Sequence, residues 1–207
     1  MHLTVYFSYT YKTLHIQKRR TFINHTSTSS VSTRYLVLTA LMTAVICILA
    51  PLSIPIPVSP VPVTLTNLVL YIGLFILPWR QLFVSYIVYM LLGLCGLPVF
   101  SGFSGGIGKL AGPTGGYLIG FLFLILIGGV FLQKGEGRRG IVFALTGLIL
   151  GSLVTYLFGT IWLSQQMNLT FVQGLFAGVI PYLPGDALKI ILALLLGPQL
   201  RRRLPLI

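Results

Sequence analysis

Long apolar runs, separated by short polar or basic stretches, constrain this sequence more than any other feature. Only 8% of its residues are charged and the mean hydropathy is +0.95, whereas an ordinary soluble domain carries about 25% charged residues. A water-soluble fold so poor in charge would expose large apolar patches. In lipid, backbone groups must be bonded within the protein, in helices or closed barrels. Because the apolar runs are continuous rather than alternating, we predict an all-α integral membrane protein.

Six apolar runs are candidates for transmembrane helices, and together they predict one six-helix membrane domain over residues 34–207. Their approximate positions are 35–50, 63–77, 81–97, 114–132, 140–163 and 184–196, with a further short helix at 171–180. Residues 51–62 contain five prolines. Because proline lacks the N–H group that a helix requires, this segment is predicted to be an extended loop.

The basic residues fall on one side of the predicted bundle. With the N-terminus inside, that side holds Arg34, Arg80, Lys134, Arg138, Arg139 and Arg201–Arg203, whereas the external loops hold only Lys109. Lysine and arginine are enriched in cytoplasmic loops, so we predict that both termini are cytoplasmic. This sorting also accounts for the net charge of +12, so no nucleic-acid partner is predicted.

The first 33 residues differ in composition from the rest of the chain. They hold all three histidines, a Ser/Thr-rich run at 26–33 and no acidic residue. We expect a basic, disordered cytoplasmic arm or a segment that precedes the true translation start. A transit peptide is a further interpretation of the same composition.

Asp186 and Lys189 are charges within the predicted sixth span. Residues three apart share a helix face, so the two side chains can pair. A charge at bilayer depth costs about 2.5–3.5 kcal/mol, and pairing together with helix capping by Asp186 would reduce that cost. The functional interpretation is a ligand site at the outer mouth of the bundle. We favour it, because ionisable residues inside membranes mark ligand or ion pathways.

The chain offers little for catalysis, metal binding or phosphate binding. The predicted bundle holds no histidine, which argues against a zinc site or a histidine general base, and it holds one acid, which excludes an aspartyl dyad. The glycine-rich loop, residues 100–117, lacks P-loop spacing, since Phe103 stands where a glycine is required and Leu110 follows Lys109. We therefore predict no enzyme, no cofactor and no metal, and interpret this loop as a close-packed lid over a ligand.

Small residues recur at intervals of four in several predicted helices. The pairs Gly116/Gly120 and Gly147/Gly151 are expected to pack within the bundle. Ala40 and Ala44, in the first span, are the candidate for docking a separate subunit.

Four motifs together resemble BioY, the biotin-specific substrate-binding (S) component of energy-coupling factor (ECF) transporters. They are PVPVTL at 60–65, GLPVF at 96–100, GPTGGYLIG at 112–120 and PYLPGDALK at 181–189. The resemblance covers about residues 35–200, in the same order and spacing.

This resemblance implies the ECF S-component fold and capture of biotin from outside a bacterial inner membrane. It also implies two kinds of partner, a transmembrane coupling subunit and two cytoplasmic ATPase subunits. The first helix of the family docks on the coupling subunit through small residues, which strengthens the assignment of Ala40 and Ala44 to docking.

The resemblance and the chemistry of biotin predict a set of site residues. Asp186 can accept hydrogen bonds from the ureido N–H groups, and Lys189 can donate to the ureido carbonyl or to the carboxylate. The family usually has Gln after PVTL where this chain has Thr66 and Asn67, and Asn67 could take the place of that amide. The predicted substrate-binding residues are Asp186, Lys189, Tyr117, Thr114, Gly115, Phe100, Phe103, Thr66 and Asn67.

Two other transport functions stay open on the sequence. An S component for another vitamin, such as thiamine, would belong to the same class. A stand-alone permease would use Asp186 as a proton-coupling acid.

Overall fold

The computed structural model describes residues 33–57, 59–135 and 137–203, and only the backbone at residues 137 and 138. The predicted basic arm therefore lies outside the described residues, except for residue 33. The chain divides into two compact units, residues 1–36 and 37–207. Of the first unit, only the opening turn of a helix is described.

Eight α-helices and one short 3₁₀ turn, at Ile180–Tyr182, make up most of the described chain. The helices are α1 Thr33–Leu49, α2 Thr66–Ile76, α3 Trp79–Leu94, α4 Ile107–Ala111, α5 Gly115–Leu132, α6 Gly137–Met167, α7 Phe171–Gly178 and α8 Leu183–Arg203. Six of them, α1, α2, α3, α5, α6 and α8, coincide with the predicted spans. The fold is therefore mainly helical, as predicted.

Three helical segments are long and apolar enough to cross a membrane: Gly115–Leu132, Arg139–Met167 and Phe171–Arg203. Three shorter apolar helices, α1, α2 and α3, accompany them. Many large apolar side chains face outward, such as Ile48, which is 67% exposed, and Leu153, which is 54% exposed. Such a surface suits a lipid environment.

The prediction of a simple extended loop over residues 51–62 is corrected by the structure, in which this segment contributes to a β-hairpin. Strands β1, Ser53–Ile56, and β2, Ser59–Thr64, are antiparallel, with Ser53 opposite Thr64 and Ile54 opposite Val63. Both strands are edge strands, in which a proline can face outward without breaking a bond. Because β2 runs to Thr64, α2 begins three residues later than the predicted span.

Two helices extend beyond their predicted ends. The polar residues from Ser164 to Met167 continue α6, which ends beside Asn168 in a left-handed conformation with φ of 53°. Helix α8 runs past Leu196 to Arg203 and includes Pro198. The predicted ends, which were set by polar residues and a proline, are therefore too early by four residues in α6 and by seven residues in α8.

Glycines bring α5 and α6 into close contact. A Cβ atom at Gly120 would lie 2.9 Å from the Thr155 Cα atom, and one at Gly151 would lie 3.0 Å from the Leu124 Cα atom. Each glycine thus accommodates the backbone of the other helix. This confirms that the pairs Gly116/Gly120 and Gly147/Gly151 pack within the bundle.

Helix α2 is the most enclosed element and packs chiefly against α8. Leu70 and Tyr71 of α2 are almost fully buried in an apolar core shared with α3, α5 and α6. This packing sets the first turn of α2 beside the first turns of α8. The polar residues of both turns therefore meet inside the bundle.

Candidate functional site

A cavity lies at the end of the bundle where α2, α5 and α8 begin. Strand β2 and the glycine-rich loop close part of it: the Tyr182 hydroxyl donates a hydrogen bond to the Val61 carbonyl, and the Gly102 N–H donates to the Pro51 carbonyl at 3.0 Å. The wall is rich in aromatic and hydroxyl side chains. Its residues are Val61, Pro62, Thr64, Thr66, Asn67, Tyr71, Tyr89, Ser101, Thr114, Tyr117, Leu118, Phe121, Leu124, Ser152, Thr155, Tyr156, Gly178, Tyr182, Asp186 and Lys189.

Asp186 and Lys189 form an ion pair inside this cavity. The Lys189 Nζ atom lies 3.0 Å from Asp186 Oδ1, and both residues are buried. Their spacing on α8 puts them on one face, as predicted from the sequence. Asp186 bonds to side chains of α2, α6 and α8 rather than to the described backbone of its own first turn, so capping does not explain its position.

The Asp186 carboxylate accepts three hydrogen bonds. Oδ1 accepts from the Asn67 amide at 2.7 Å and from Lys189, and Oδ2 accepts from the Tyr156 hydroxyl at 2.6 Å. A carboxylate offers about four acceptor positions, two on each oxygen. One position on Oδ2 therefore stays available to a donor that enters the cavity.

Lys189, by contrast, has all three of its N–H donors in use. They reach Asp186 Oδ1, Asn67 Oδ1 at 2.9 Å and the Thr64 carbonyl at 2.8 Å. An ammonium group has three donors and no acceptor. Lys189 can thus bond to a ligand only by giving up one of these contacts.

Asn67 links both charges through its two ends. Its amide nitrogen donates to Asp186, and its amide oxygen accepts from Lys189 and, at 3.1 Å, from the Leu68 N–H. If the Asn67 amide were turned over, its nitrogen would face the Lys189 ammonium group and its oxygen would face the Asp186 carboxylate, and neither hydrogen bond could form. Asn67 is therefore the centre of the network.

A layer of hydroxyl groups covers the α6 side of the cavity. The Ser152 hydroxyl donates to the Leu148 carbonyl at 2.7 Å, so it accepts from the Tyr71 hydroxyl, also at 2.7 Å. The Tyr117 hydroxyl donates to the Gly178 carbonyl at 2.9 Å. The buried Thr114 hydroxyl has no partner among the described residues, and so is available to a ligand.

The structure brings six of the nine predicted site residues to the cavity wall: Thr66, Asn67, Thr114, Tyr117, Asp186 and Lys189. Four of these residues belong to two of the motifs, at 112–120 and 181–189, and Thr66 and Asn67 directly follow a third, at 60–65. Their shared location follows from the packing of α2, α5 and α8 at one end of the bundle.

The other three predicted residues lie away from the wall. Phe100 is fully buried behind the cavity, where its ring meets the edge of Tyr89 at a centroid distance of 5.5 Å. Phe103 is 64% exposed. Gly115 packs against α4, since a Cβ atom there would overlap the Leu110 carbonyl. Phe100 and Gly115 therefore support the site, and Phe103 faces away from the protein interior.

Sequence reasoning missed the contribution of α6 and the extra tyrosines. Ser152, Thr155 and Tyr156 of α6 all line the cavity, and so do Tyr71 and Tyr89. No short motif marks them. Their signal is the spacing of the three α6 residues, which puts hydroxyl groups on one face of an otherwise apolar helix.

The fold and the cavity define a class: a helical membrane protein with a cavity at one end of its bundle and a buried ion pair in the wall of that cavity. The comparisons with known proteins give the family. The model of the BioY family matches residues 23–206, and the chain belongs to this family.

Relatives and a solved structure agree with this assignment. The biotin transporter BioY of Rhizobium etli is 35% identical over 86% of this chain and 98% of its own. The probable biotin transporter BioY of Pyrococcus horikoshii is 37% identical over 79% and 94%. The solved S component for biotin from an ECF-type ABC transporter is 34% identical, covers 82% of this chain and 92% of its own, and has a TM-score of 0.75.

Proposed function

We propose that this chain binds biotin from outside the cell as the substrate-specific subunit of an ATP-driven ECF transporter. The observation that carries the proposal is the Asp186 carboxylate, which is buried, held by Asn67 and Tyr156, and open to one further donor. The ureido ring of biotin presents two such N–H donors. The names of the relatives support the same ligand.

The remaining wall matches the rest of the biotin molecule. The rings of Tyr71, Tyr89 and Phe121 offer apolar surface to the thiophane ring, and the free Thr114 hydroxyl can bond to the ureido carbonyl. The biotin carboxylate can draw one N–H of Lys189 away from the Thr64 carbonyl, exchanging a neutral acceptor for a charged one. A site built from such directed bonds would reject ligands that leave them unmade.

The charge pattern supports a topology with six spans and both termini in the cytoplasm. Six of the described basic residues lie at helix ends opposite the cavity: Arg80, Lys134, Arg139 and Arg201–Arg203. Under the positive-inside rule, the cavity then opens outward. In this arrangement residues 34–207 act as one membrane domain in a bacterial cell membrane.

An exposed stripe on α1 supports docking of a transmembrane coupling subunit, which would in turn engage two ATPase subunits. Ala40 and Ala44 are exposed, and the larger apolar residues Val37, Leu41 and Ile48 flank them. Small residues on an exposed helix face permit close approach of another helix in a membrane.

The proposal is tested by the binding of tritiated biotin to the purified chain and to Asp186→Asn. Asparagine keeps the size of the side chain but removes its charge and puts an N–H donor where Lys189 and the ligand require acceptors. The affinity for biotin is expected to fall about 10- to 150-fold, because one hydrogen bond to a charged group contributes about 1.5–3 kcal/mol. Exposed Gln166→Ala serves as the control. An unchanged Kd for Asp186→Asn would contradict the assignment.

Two further measurements separate the alternative transport functions. Excess unlabelled thiamine should leave biotin binding unaffected, and displacement by thiamine would indicate another vitamin. Biotin uptake into cells should require the ATPase subunits. Uptake that continues without them, and that collapses with the proton gradient, would indicate a stand-alone permease.

A further inference from the structure

A second cavity lies at the opposite end of the bundle from the biotin site. This cavity is partly open and has a volume of about 910 Å³, near the top of the range of about 300–1,000 Å³ that is usual for ligand pockets. Its walls come from the end of α2, the start of α3, the end of α5, the start of α6 and the end of α8. The two cavities share no described lining residue, and α1 contributes none to this one.

We call this second cavity the base cavity; its lining includes Phe75, Trp79, Ile141, Arg201 and Arg202. Its inner wall is apolar and tightly packed. A Cβ atom at Gly129 would overlap Trp79, and one at Gly197 would overlap the ring of Phe75, so both aromatic rings fit tightly against neighbouring helices. Ile141 of α6 lies on the same wall and is 48% exposed. This surface suits a hydrocarbon chain.

The rim of the base cavity is positively charged. Arg201 and Arg202 line it at the end of α8, are exposed and form no ion pair with another described residue. The guanidinium group of Arg80 lies 5.5 Å from the centroid of the Trp79 ring. Within the described residues the one acid is Asp186, which is paired with Lys189 in the other cavity. Among the residues that the structure describes, no acidic side chain at this end of the bundle neutralises the arginines.

We propose that the base cavity binds an acidic phospholipid. The phosphate of the headgroup bonds to Arg201 and Arg202, and an acyl chain lies along Phe75, Trp79 and Ile141. Arginine next to tryptophan at the end of a membrane helix is level with the lipid headgroups, where anionic lipids attract basic side chains. A zwitterionic lipid also has a phosphate, but its cationic group offsets that charge, so the described arginines should attract it less than an acidic lipid.

The structure favours a lipid over a protein partner at this position. A lipid combines in one molecule the two chemistries that the cavity presents, an anion at the rim and an apolar wall inside. The exposed small-residue stripe proposed for subunit docking is on α1, which does not line the base cavity. The two surfaces can therefore be occupied independently.

Fluorescence quenching by brominated lipids tests the proposal. The chain has two tryptophans, so the variant Trp162→Phe of the full chain keeps Trp79 as the single reporter. It is reconstituted into phosphatidylcholine vesicles that contain equal fractions of either dibrominated phosphatidylglycerol or dibrominated phosphatidylcholine. We expect preferential quenching by the acidic lipid, with a relative affinity of roughly 5- to 25-fold, about fivefold for each arginine.

A matched pair of double variants assigns the effect to the rim. Arg201→Gln/Arg202→Gln should reduce the preference to about one, whereas Lys134→Gln/Arg203→Gln, which removes the same charge from residues outside the lining, should keep most of it. Retained binding of tritiated biotin shows that each variant is folded. Equal quenching by the two lipids, or equal loss of preference in both double variants, overturns the proposal.

A second measurement covers the case in which Trp162→Phe fails to fold. Native mass spectrometry of the unaltered chain, purified in mild detergent and supplied with phosphatidylglycerol, should show a one-to-one adduct. Arg201→Gln/Arg202→Gln should lose this adduct, and its persistence there also overturns the proposal.

Discussion

The side-chain amide of Asn67 donates a 2.7 Å hydrogen bond to Asp186 across 119 positions of the sequence. The same amide accepts from Lys189 at 2.9 Å. One neutral residue of α2 therefore satisfies an acid and a base of α8. Because α2 is the most enclosed helix, this contact holds the two charges at fixed positions before a ligand arrives. Such preorganisation reduces the cost of binding.

Replacing Asn67 by alanine should weaken both the fold and the site. The substitution removes two hydrogen bonds to charged groups, each worth about 1.5–3 kcal/mol. Water that enters the cavity recovers part of this loss, so we expect the free energy of unfolding to fall by about 2–4 kcal/mol and the Kd for biotin to rise more than tenfold. Thermal unfolding in detergent and tritiated-biotin binding measure the two effects. Exposed Gln166→Ala should change neither, and a wild-type Kd for Asn67→Ala would contradict the role of the amide.

The ion pair and its place on α8 could be predicted from the sequence, because a charge in an apolar run is rare and its spacing fixes the helix face. The partners of that pair could not. Asn67 and Tyr156 reach Asp186 only through the packing of α2 and α6 on α8, a long-range property that no local pattern records. Tyr156 in particular is one aromatic residue among many in apolar helices.

In the two loops, the sequence predicted the absence of a helix but not the pairing or the direction of side chains. Proline density excluded a helix over 51–62, yet the pairing of Ser53 with Thr64 depends on a turn whose geometry composition does not specify. In the glycine-rich loop, Phe100 and Phe103 were equally plausible ligand contacts. The structure separates them, because one is buried behind Tyr89 and the other is exposed. Side-chain direction in an irregular loop follows from backbone angles rather than from spacing.

Tyr156→Phe tests the hydroxyl that holds Asp186 Oδ2. The ring keeps its place, but the carboxylate loses a 2.6 Å hydrogen bond and can rotate away from the ligand. We expect the Kd for biotin to rise about tenfold, which corresponds to about 1.4 kcal/mol. Tyr86→Phe is the matched control, since its buried hydroxyl bonds to the Leu118 carbonyl outside the charged network. It should lower the melting temperature without altering the Kd, and equal effects of both variants on binding would count against the proposed role.

Gly159→Ala tests the close contact between α6 and the ring of Tyr117. A Cβ atom at this position would overlap the Tyr117 ring, which rests against Gly159 and bonds to the Gly178 carbonyl. Overpacking of this kind costs about 1–3 kcal/mol, and a shift of the ring away from Gly159 changes the cavity wall that Tyr117 forms. Biotin affinity should therefore fall at least tenfold, as measured by equilibrium binding. Gly185→Ala, where the added atom meets open space, should bind biotin normally. Normal binding by Gly159→Ala would show that Tyr117 does not shape the site.

Ala40→Trp and Ala44→Trp test the separation of ligand capture from transport. Both residues are exposed on α1, and neither lines the biotin cavity. A bulky ring on this stripe should prevent close approach of the coupling subunit, because such helix contacts in membranes depend on small residues. We expect biotin uptake into cells to be lost while the purified chain keeps its wild-type Kd. Leu153→Trp, on an exposed face of α6, places a similar ring elsewhere and should leave uptake intact. Loss of binding in the α1 variants, or normal uptake with tryptophan at both positions, would remove α1 as the docking surface.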